Sequence, residues 1–489
     1  MKHYKFLEQV FSRINNIDDT IRLLECSTMD LDSKIERINT LQEIRYEIIT
    51  DDMIDEMINF SLNNKKKLND WELANLNHMH RAYQHNKNVP VNLIKDLFKA
   101  KVNCGQQWEL FRNKNSSLKD VMGNLSEVVK LVSDMSSIRS TSLKMNNKYD
   151  AVLSMYDADL SEKKIDEVFT DIGAFLRQFV HEAIEKQNHS RVYYAKSVDE
   201  DKQKAFGNYC LSLFGIQNDV IFTKASCNNY VVKEKYEFIV RYDELNYKCG
   251  IENLLKNIGY FLYELNLPKQ WANQLVGRYS GSIMYEAQGM LMSCHLMHDK
   301  GFINYIAPSV KKFLSLRGKV SSCENIYSYF TRIQPSTLFD ESDEVTFLAH
   351  VMLRYTLEKE MINDDLQVKD LPDAWFQGIK YYFNLTSNDD FDQLMQDGYW
   401  INGLFGYIPC MAISAIVAAQ IFDTIKKCDT EILEEVSKGN FKNLFIWLSK
   451  NLHSYGAKYN SMALLQKVTK QSLNVDFYKN YLINKYLNI

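Results

Sequence analysis

Only 6 prolines and 18 glycines punctuate a chain of 489 residues. Sandwiches and barrels need many tight turns, and tight turns draw on those two residues, so their scarcity favours long helices with few connections. Hydrophobic residues at 46% and charged residues at 25% exclude wholesale disorder and fibrous classes. The expected fold class is mainly α, with residues 1–489 forming a single large helical domain.

Charge narrows the function classes. Lys and Arg number 58 against 62 Asp and Glu, a net charge of −4 that offers no electrostatic footprint for nucleic acid or anionic lipid. Neither nucleic acid nor membrane is an expected partner. The most apolar stretch, 408–422, is shorter than the roughly 20 residues a bilayer requires and carries Pro409 and Gln420, so it reads as a buried core helix. The start, Met1-Lys2-His3-Tyr4-Lys5, holds no apolar signal core, and 9 scattered cysteines without a Cys-x-x-Cys pair fit reduced thiols. Together these features lead us to expect a cytoplasmic protein.

Helical periodicity runs through the first half. Asp70 reads as the N-cap of a helix whose stripe is Leu73, Leu76, Met79 and Tyr83, and a second helix opens near Pro90 with Leu93, Ile94, Leu97 and Phe98 inward. His78, His80 and His85 stand on what reads as an exposed helix and form no constellation. Strand character is confined to 219–242, where β-branched and aromatic residues flank Cys227-Asn228-Asn229, and a small antiparallel sheet is expected there. Motifs for phosphate loops, dinucleotides, serine hydrolysis and zinc peptidases are absent.

The most specific stretch begins at Asp343-Glu344-Val345-Thr346-Phe347. It continues through Leu353-Arg354-Tyr355, Glu358, Asp370-Leu371-Pro372, Trp375, Gln396-Asp397-Gly398-Tyr399-Trp400, Gly406-Tyr407-Ile408-Pro409 and Ala418-Ala419-Gln420. In order and spacing this series resembles the Taq-type thermostable metallocarboxypeptidases, and the likeness extends upstream through Arg241-Tyr242-Asp243-Glu244 to the helix at Asp70. The resemblance implies a helical deep-groove fold, a homodimer, zinc or another divalent metal as cofactor, and removal of C-terminal residues from peptides. It also implies that two His of a His-Glu-x-x-His helix and a Glu from a later helix hold the metal, with the intervening Glu activating its water. Two imidazoles four residues apart share one helix face and reach one ion, which explains the spacing.

This chain keeps the frame and departs at the chemistry. On the corresponding helix, about 251–265, the stripe Leu254, Leu255, Ile258, Phe261, Leu262 and Leu265 persists. Lys256 stands for the first His, Asn257 for the base and Tyr260 for the second His. An ammonium repels a divalent cation, an amide accepts no proton, and a neutral phenol is a poor zinc ligand. The third-ligand helix, about 282–298, retains Glu286 as a vestigial ligand position but has Tyr285 where the family has His. Tyr399 likewise replaces a His, and Phe339 stands where the family's carboxylate-clamping Arg is expected. The family's His-Pro-Phe has no counterpart around Ala225 to Tyr230, and its Asp-x-Arg-x-Thr reads Lys235-Tyr236-Glu237-Phe238-Ile239.

These departures lead us to expect no catalytic residue, no metal ligand set and no cofactor, and a pseudoenzyme that binds a peptide or protein partner, or regulates an active relative. The alternative is an active metal-dependent carboxypeptidase working through a non-standard site. Glu286, Gln288, Gln396 and Tyr407 are the expected groove-binding residues. Glu286 is read as neutralised by Lys256, which would offset its desolvation. Tyr260, Tyr285, Tyr399 and Tyr407 either line an aromatic pocket or fill space a metal would take. Cys294-x-x-x-His298 with His295 is a weak metal candidate, and His350 reads as a core residue.

Overall fold

The computed structural model describes residues 2–27, 29–217, 220–223, 231–232, 235–236, 238–385, 391–396, 398–428 and 430–488. It is helical almost throughout, as the shortage of turn residues requires. The first helices, Lys2–Glu25, Leu31–Ile49, Asp52–Asn63 and Asp70–Asn86, close a small core of their own around Phe11, Ile58 and Met79. A much larger core runs from Ala100 to Tyr486.

The stretch expected to be a core helix is one. Ile408–Cys428 is buried along nearly its whole length and is the one described helix long and apolar enough to span a bilayer. Its apolar residues are spent on protein contacts, with Ser414 Oγ donating to the carbonyl of Ile283 at 2.9 Å. That bond ties it to the Ser282–Met290 helix, which in turn lies against Tyr247–Leu265. These three helices are the frame of the site.

Local chemistry shifts some expected boundaries. The N-cap before Asp70–Asn86 is Asn69 rather than Asp70: its side chain accepts from the amides of Trp71 and Glu72 at 2.9 and 3.0 Å, and Glu72 accepts from the Asn69 amide at 3.0 Å. This capping box satisfies more orphan amides than Asp70 alone would. The same helix is not exposed, since His78 bonds the Ala457 carbonyl at 2.7 Å and His85 is buried. The expected helix 282–298 is α-helical only to Met290 and continues as a π-helical turn, Leu291–Leu296.

The strand region is a correction in part. Val220–Thr223 pairs in parallel with Phe238–Arg241, and the expected antiparallel pairing is confined to Val231–Val232 with Lys235–Tyr236. A parallel pair needs a crossover of about a dozen residues, and 224–237 supplies that length. The Ala225 to Tyr230 segment, Cys227-Asn228-Asn229, Glu237 and Asp397 lie outside the described residues. The 8 described cysteines are free thiols.

Two glycines set the spacing of the site helices. A Cβ on Gly259 would sit 2.2 Å from the Gln288 carbonyl oxygen, and one on Gly289 would sit 2.6 Å from Tyr260 Cε1 and 2.7 Å from Lys256 Cγ. Their missing side chains let the backbones approach until Lys256 and Tyr260 lie over the partner helix. Gly259→Ala is therefore expected to cost about 1–3 kcal/mol of stability through overpacking, which denaturant unfolding followed by circular dichroism will measure.

Candidate functional site: a paired carboxylate in a deep cleft

A cleft of about 1170 Å³ opens beside the frame helices. Small-ligand pockets span roughly 300–1,000 Å³, so this one has room for a chain segment. Its walls come from the Val91–Arg112 helix, the Tyr247–Leu265 and Ser282–Met290 helices, the loops 339–344 and 398–407, and the Asp476–Tyr486 helix.

Glu286 lies at its inner wall, buried. Lys256 Nζ stands 3.0 Å from Glu286 Oε2, and the Tyr260 hydroxyl donates to the same oxygen at 2.7 Å. The Tyr407 hydroxyl donates to Oε1. Both carboxylate oxygens are thus engaged, and an ammonium neutralises the charge. Burial first, and then the Glu286 charge, push the Tyr260 and Tyr407 phenols well above the ordinary tyrosine range, so both remain protonated donors.

Two further tyrosines extend this arrangement. Tyr285 stacks on Tyr260 with ring centroids 4.4 Å apart and planes at 7°, and its hydroxyl donates to Glu264 at 3.0 Å. Tyr399 stacks on Tyr407 at 6.0 Å. Tyr260 and Tyr407 thus meet Glu286 directly, and Tyr285 and Tyr399 stack behind them. Asn257 turns away from the cleft. It is buried, and its amide donates to the Ile239 carbonyl and to Asn253 Oδ1, both at 3.3 Å. Asn257 is a tie between helix and strand.

Phe339 does line the cleft, but what it covers was not read from the sequence. Its ring lies 4.8 Å from the Arg354 guanidinium, which Trp375 flanks on its other side at 4.9 Å. Arg354 is buried, and its charge is held behind Phe339 instead of facing the cleft. Beside it, Glu358 accepts from Tyr149, Trp400 and the Gly406 amide at 2.9, 2.8 and 2.8 Å, and burial pushes its carboxyl up to about 7. Glu358 fixes the loop that delivers Tyr407.

Two expected groove residues are placed elsewhere. Gln288 is buried, with Oε1 bonded to His453 at 3.0 Å, and does not reach the cleft. The helical offset of two residues from Glu286 turns it to the far side. Gln396 is also buried; Oε1 accepts from the Phe339 amide and Nε2 donates to the Gln393 carbonyl at 2.6 Å, so it braces the 339 loop. Glu286 and Tyr407 line the cleft. His350 is a core residue, bonded to the Ser336 carbonyl at 3.0 Å.

Comparison with known proteins now has a geometry to explain. The family model for Carboxypeptidase Taq (M32) metallopeptidase matches residues 3–486. The chain belongs to the Carboxypeptidase Taq metallopeptidase family. Carboxypeptidase 1 of Bacillus subtilis is 22% identical over 464 residues, covering 94% of this chain and 91% of that protein. Thermostable carboxypeptidase 1 of Pyrococcus furiosus is 22% identical over 434 residues, covering 86% and 85%. Among solved structures, metallocarboxypeptidase 1 of Trypanosoma cruzi superposes with a TM-score of 0.90 at 22% identity, covering 99% of both chains. The fold of the Carboxypeptidase Taq family is therefore retained over the whole chain.

Zinc does not fit the donor set that this family member carries at the cradle. The one carboxylate is already paired with an ammonium, the two phenols that reach it are held protonated, and Asn257 points elsewhere. Among the described residues no three His, Cys, Asp or Glu side chains converge on a point that could take an ion. The Cys294, His295 and His298 candidate resolves differently. His295 is buried between the rings of Tyr481 at 4.2 Å and Phe422 at 5.1 Å, and burial pushes it down to about 3. His298 Nε2 faces Glu252 at 3.0 Å while Lys485 Nζ faces its Nδ1 at 2.6 Å.

Lys485 also pairs with Glu344, whose other neighbours are the hydroxyls of Tyr481 and Tyr486. Burial alone would raise the Glu344 carboxyl; the Lys485 ammonium and His298 outweigh it and hold the group well below its ordinary 4.5. A carboxyl lowered in the fold contributes stability above its unfolded value and loses it as pH falls. Lys485→Met removes the largest counter-charge of Glu344 and lets burial raise its carboxyl, so we expect it to cost about 3–5 kcal/mol at neutral pH, a loss that shrinks as pH falls and Glu344 takes up a proton, both measurable by a pH series of thermal melts.

The cradle itself is open to a double-mutant cycle. Lys256→Met and Glu286→Gln should each cost about 1–3 kcal/mol by leaving a buried partner unmatched. The double variant should cost less than their sum by at least about 1 kcal/mol, as read from denaturant midpoints.

Proposed function

We propose that this family member is a pseudoenzyme: a carboxypeptidase fold without zinc hydrolysis, whose cleft binds a peptide segment or a protein partner. The observation that carries this reading is the pairing of Lys256 with Glu286 at 3.0 Å. An ammonium occupies the place where the family's metal would be held, and no group beside it is fitted to make a hydroxide from water. The retained cleft supports a binding role, because its volume and its mixed polar and aromatic walls suit an extended chain. Pairing into a homodimer, which the family likeness implies, belongs to the same proposal and would allow association with an active relative.

The test joins three measurements on the purified protein. Elemental analysis should find well under one zinc per chain, and no C-terminal residue should be released from mixed-sequence peptides with zinc, cobalt or manganese supplied. A labelled mixed-sequence hexapeptide pool should bind with the same affinity in buffer and in excess chelator. Stoichiometric zinc together with metal-dependent release of C-terminal residues would overturn the proposal and favour the active, non-standard site.

A further inference from the structure

Five lysine or arginine side chains line the cleft, and four of them are occupied. Lys256 pairs with Glu286, and Lys248 stands 3.7 Å from Glu252. Lys34 donates to the Ser27 carbonyl at 2.7 Å, and Arg332 donates to the Gln187 carbonyl at 2.8 Å and to Asn188. Lys101 is different. It makes no hydrogen bond, ion pair or ring contact with any described residue, although it is partly buried in the cleft wall.

Its position is set by the loop that also delivers the aromatic side of the cleft. Gly403 has φ +68°, and a Cβ there would lie 3.2 Å from Lys101 Cδ and 3.7 Å from its Cε. The lysine stem therefore rests on the bare backbone of Gly403, within the loop that carries Tyr399, Asn402, Leu404 and Tyr407 to the cleft. Burial lowers the ammonium from its ordinary value, and among the described residues the opposing field comes from Glu25, which forms no ion pair with it. A partly desolvated cation without a paired anion is costly in a folded protein and is relieved by an incoming anion. Meanwhile Phe339 stands at the position of the family's clamp, and Arg354 is held behind it.

We propose that Lys101 is the anion receptor of this cleft and takes a carboxylate of the bound peptide, either its C-terminus or an acidic side chain. The assignment rests on the peptide-binding reading above and names the chemistry by which the cleft would select its ligand. The loop aromatics beside Gly403 would then accommodate the residue that bears the carboxylate.

The test uses the full chain, its Lys101→Met and Lys101→Arg variants, and fluorescently labelled hexapeptide pools of three kinds: free C-terminus, amidated C-terminus, and free C-terminus lacking Asp and Glu. Lys101→Met keeps the stem on Gly403, so folding should be preserved and the thermal midpoint should rise. Loss of a charge-assisted contact should weaken binding of the free-acid pool about ten- to a hundredfold in Lys101→Met, with most affinity kept in Lys101→Arg. A matching loss on amidation assigns the terminal carboxylate, and a matching loss in the pool without acids assigns a side chain. Equal binding of all three pools by the wild type and Lys101→Met would overturn this inference while leaving the peptide-binding reading intact. Should no pool bind, that reading fails, and a titration with N-acetylphenylalanine and its amide decides on Lys101 alone. Lys101-dependent preference for the free acid would sustain the receptor, and its absence would end it.

Discussion

The Glu286 carboxylate has to be satisfied inside a wall of aromatic and apolar side chains. A bare carboxylate there would be prohibitively costly, and a metal is one way to satisfy it. This chain uses an ammonium and two phenol hydroxyls instead: Lys256 and Tyr260 meet one oxygen and Tyr407 meets the other. The close approach at Gly259 and Gly289 brings the lysine helix near enough to do so, and the Glu358-anchored loop brings Tyr407 from the opposite side. On the proposed reading, the residues that stand in for the zinc ligands are the same ones that satisfy Glu286, which would explain why they occur together.

That coherence separates the site from one decayed at random. Tyr285 stacks on Tyr260 and finds Glu264, Tyr399 stacks on Tyr407, and Asn257 gains a strand carbonyl. Each of these side chains has a partner of suitable chemistry. A second polar knot, in which Lys485 joins Glu344 and His298, pins the C-terminal helix to the other end of the cleft. Two lysine-carboxylate pairs thus brace the cleft walls.

Much of this was legible in the sequence because it rests on patterns that sequence carries directly. Helical stripes, the scarcity of turn residues and the order of family motifs gave the fold, and the exchange of His for Lys and Tyr beside a surviving Glu gave the ion pair. What the sequence concealed depends on direction in space. Gln288 and Gln396 lie in site motifs yet turn inward to His453 and to the Phe339 amide. Arg354 reads as part of a helix motif and proves to be shielded behind Phe339. Lys101 has no motif at all; only the cleft shows it to lack a partner among the described residues. The parallel strand pair and the π-turn were hidden for a related reason, since residue preferences report extended or helical backbone but neither pairing direction nor a single extra residue per turn.

The central claim is that an amine has taken the place of a metal at Glu286. Anomalous scattering at the zinc edge, collected from crystals soaked in zinc, tests it most directly. The account predicts no anomalous peak within bonding reach of Glu286 and continuous density joining Lys256 to that carboxylate. A zinc peak on Glu286, with the lysine swung aside and the Tyr260 oxygen bound to the ion, would contradict it.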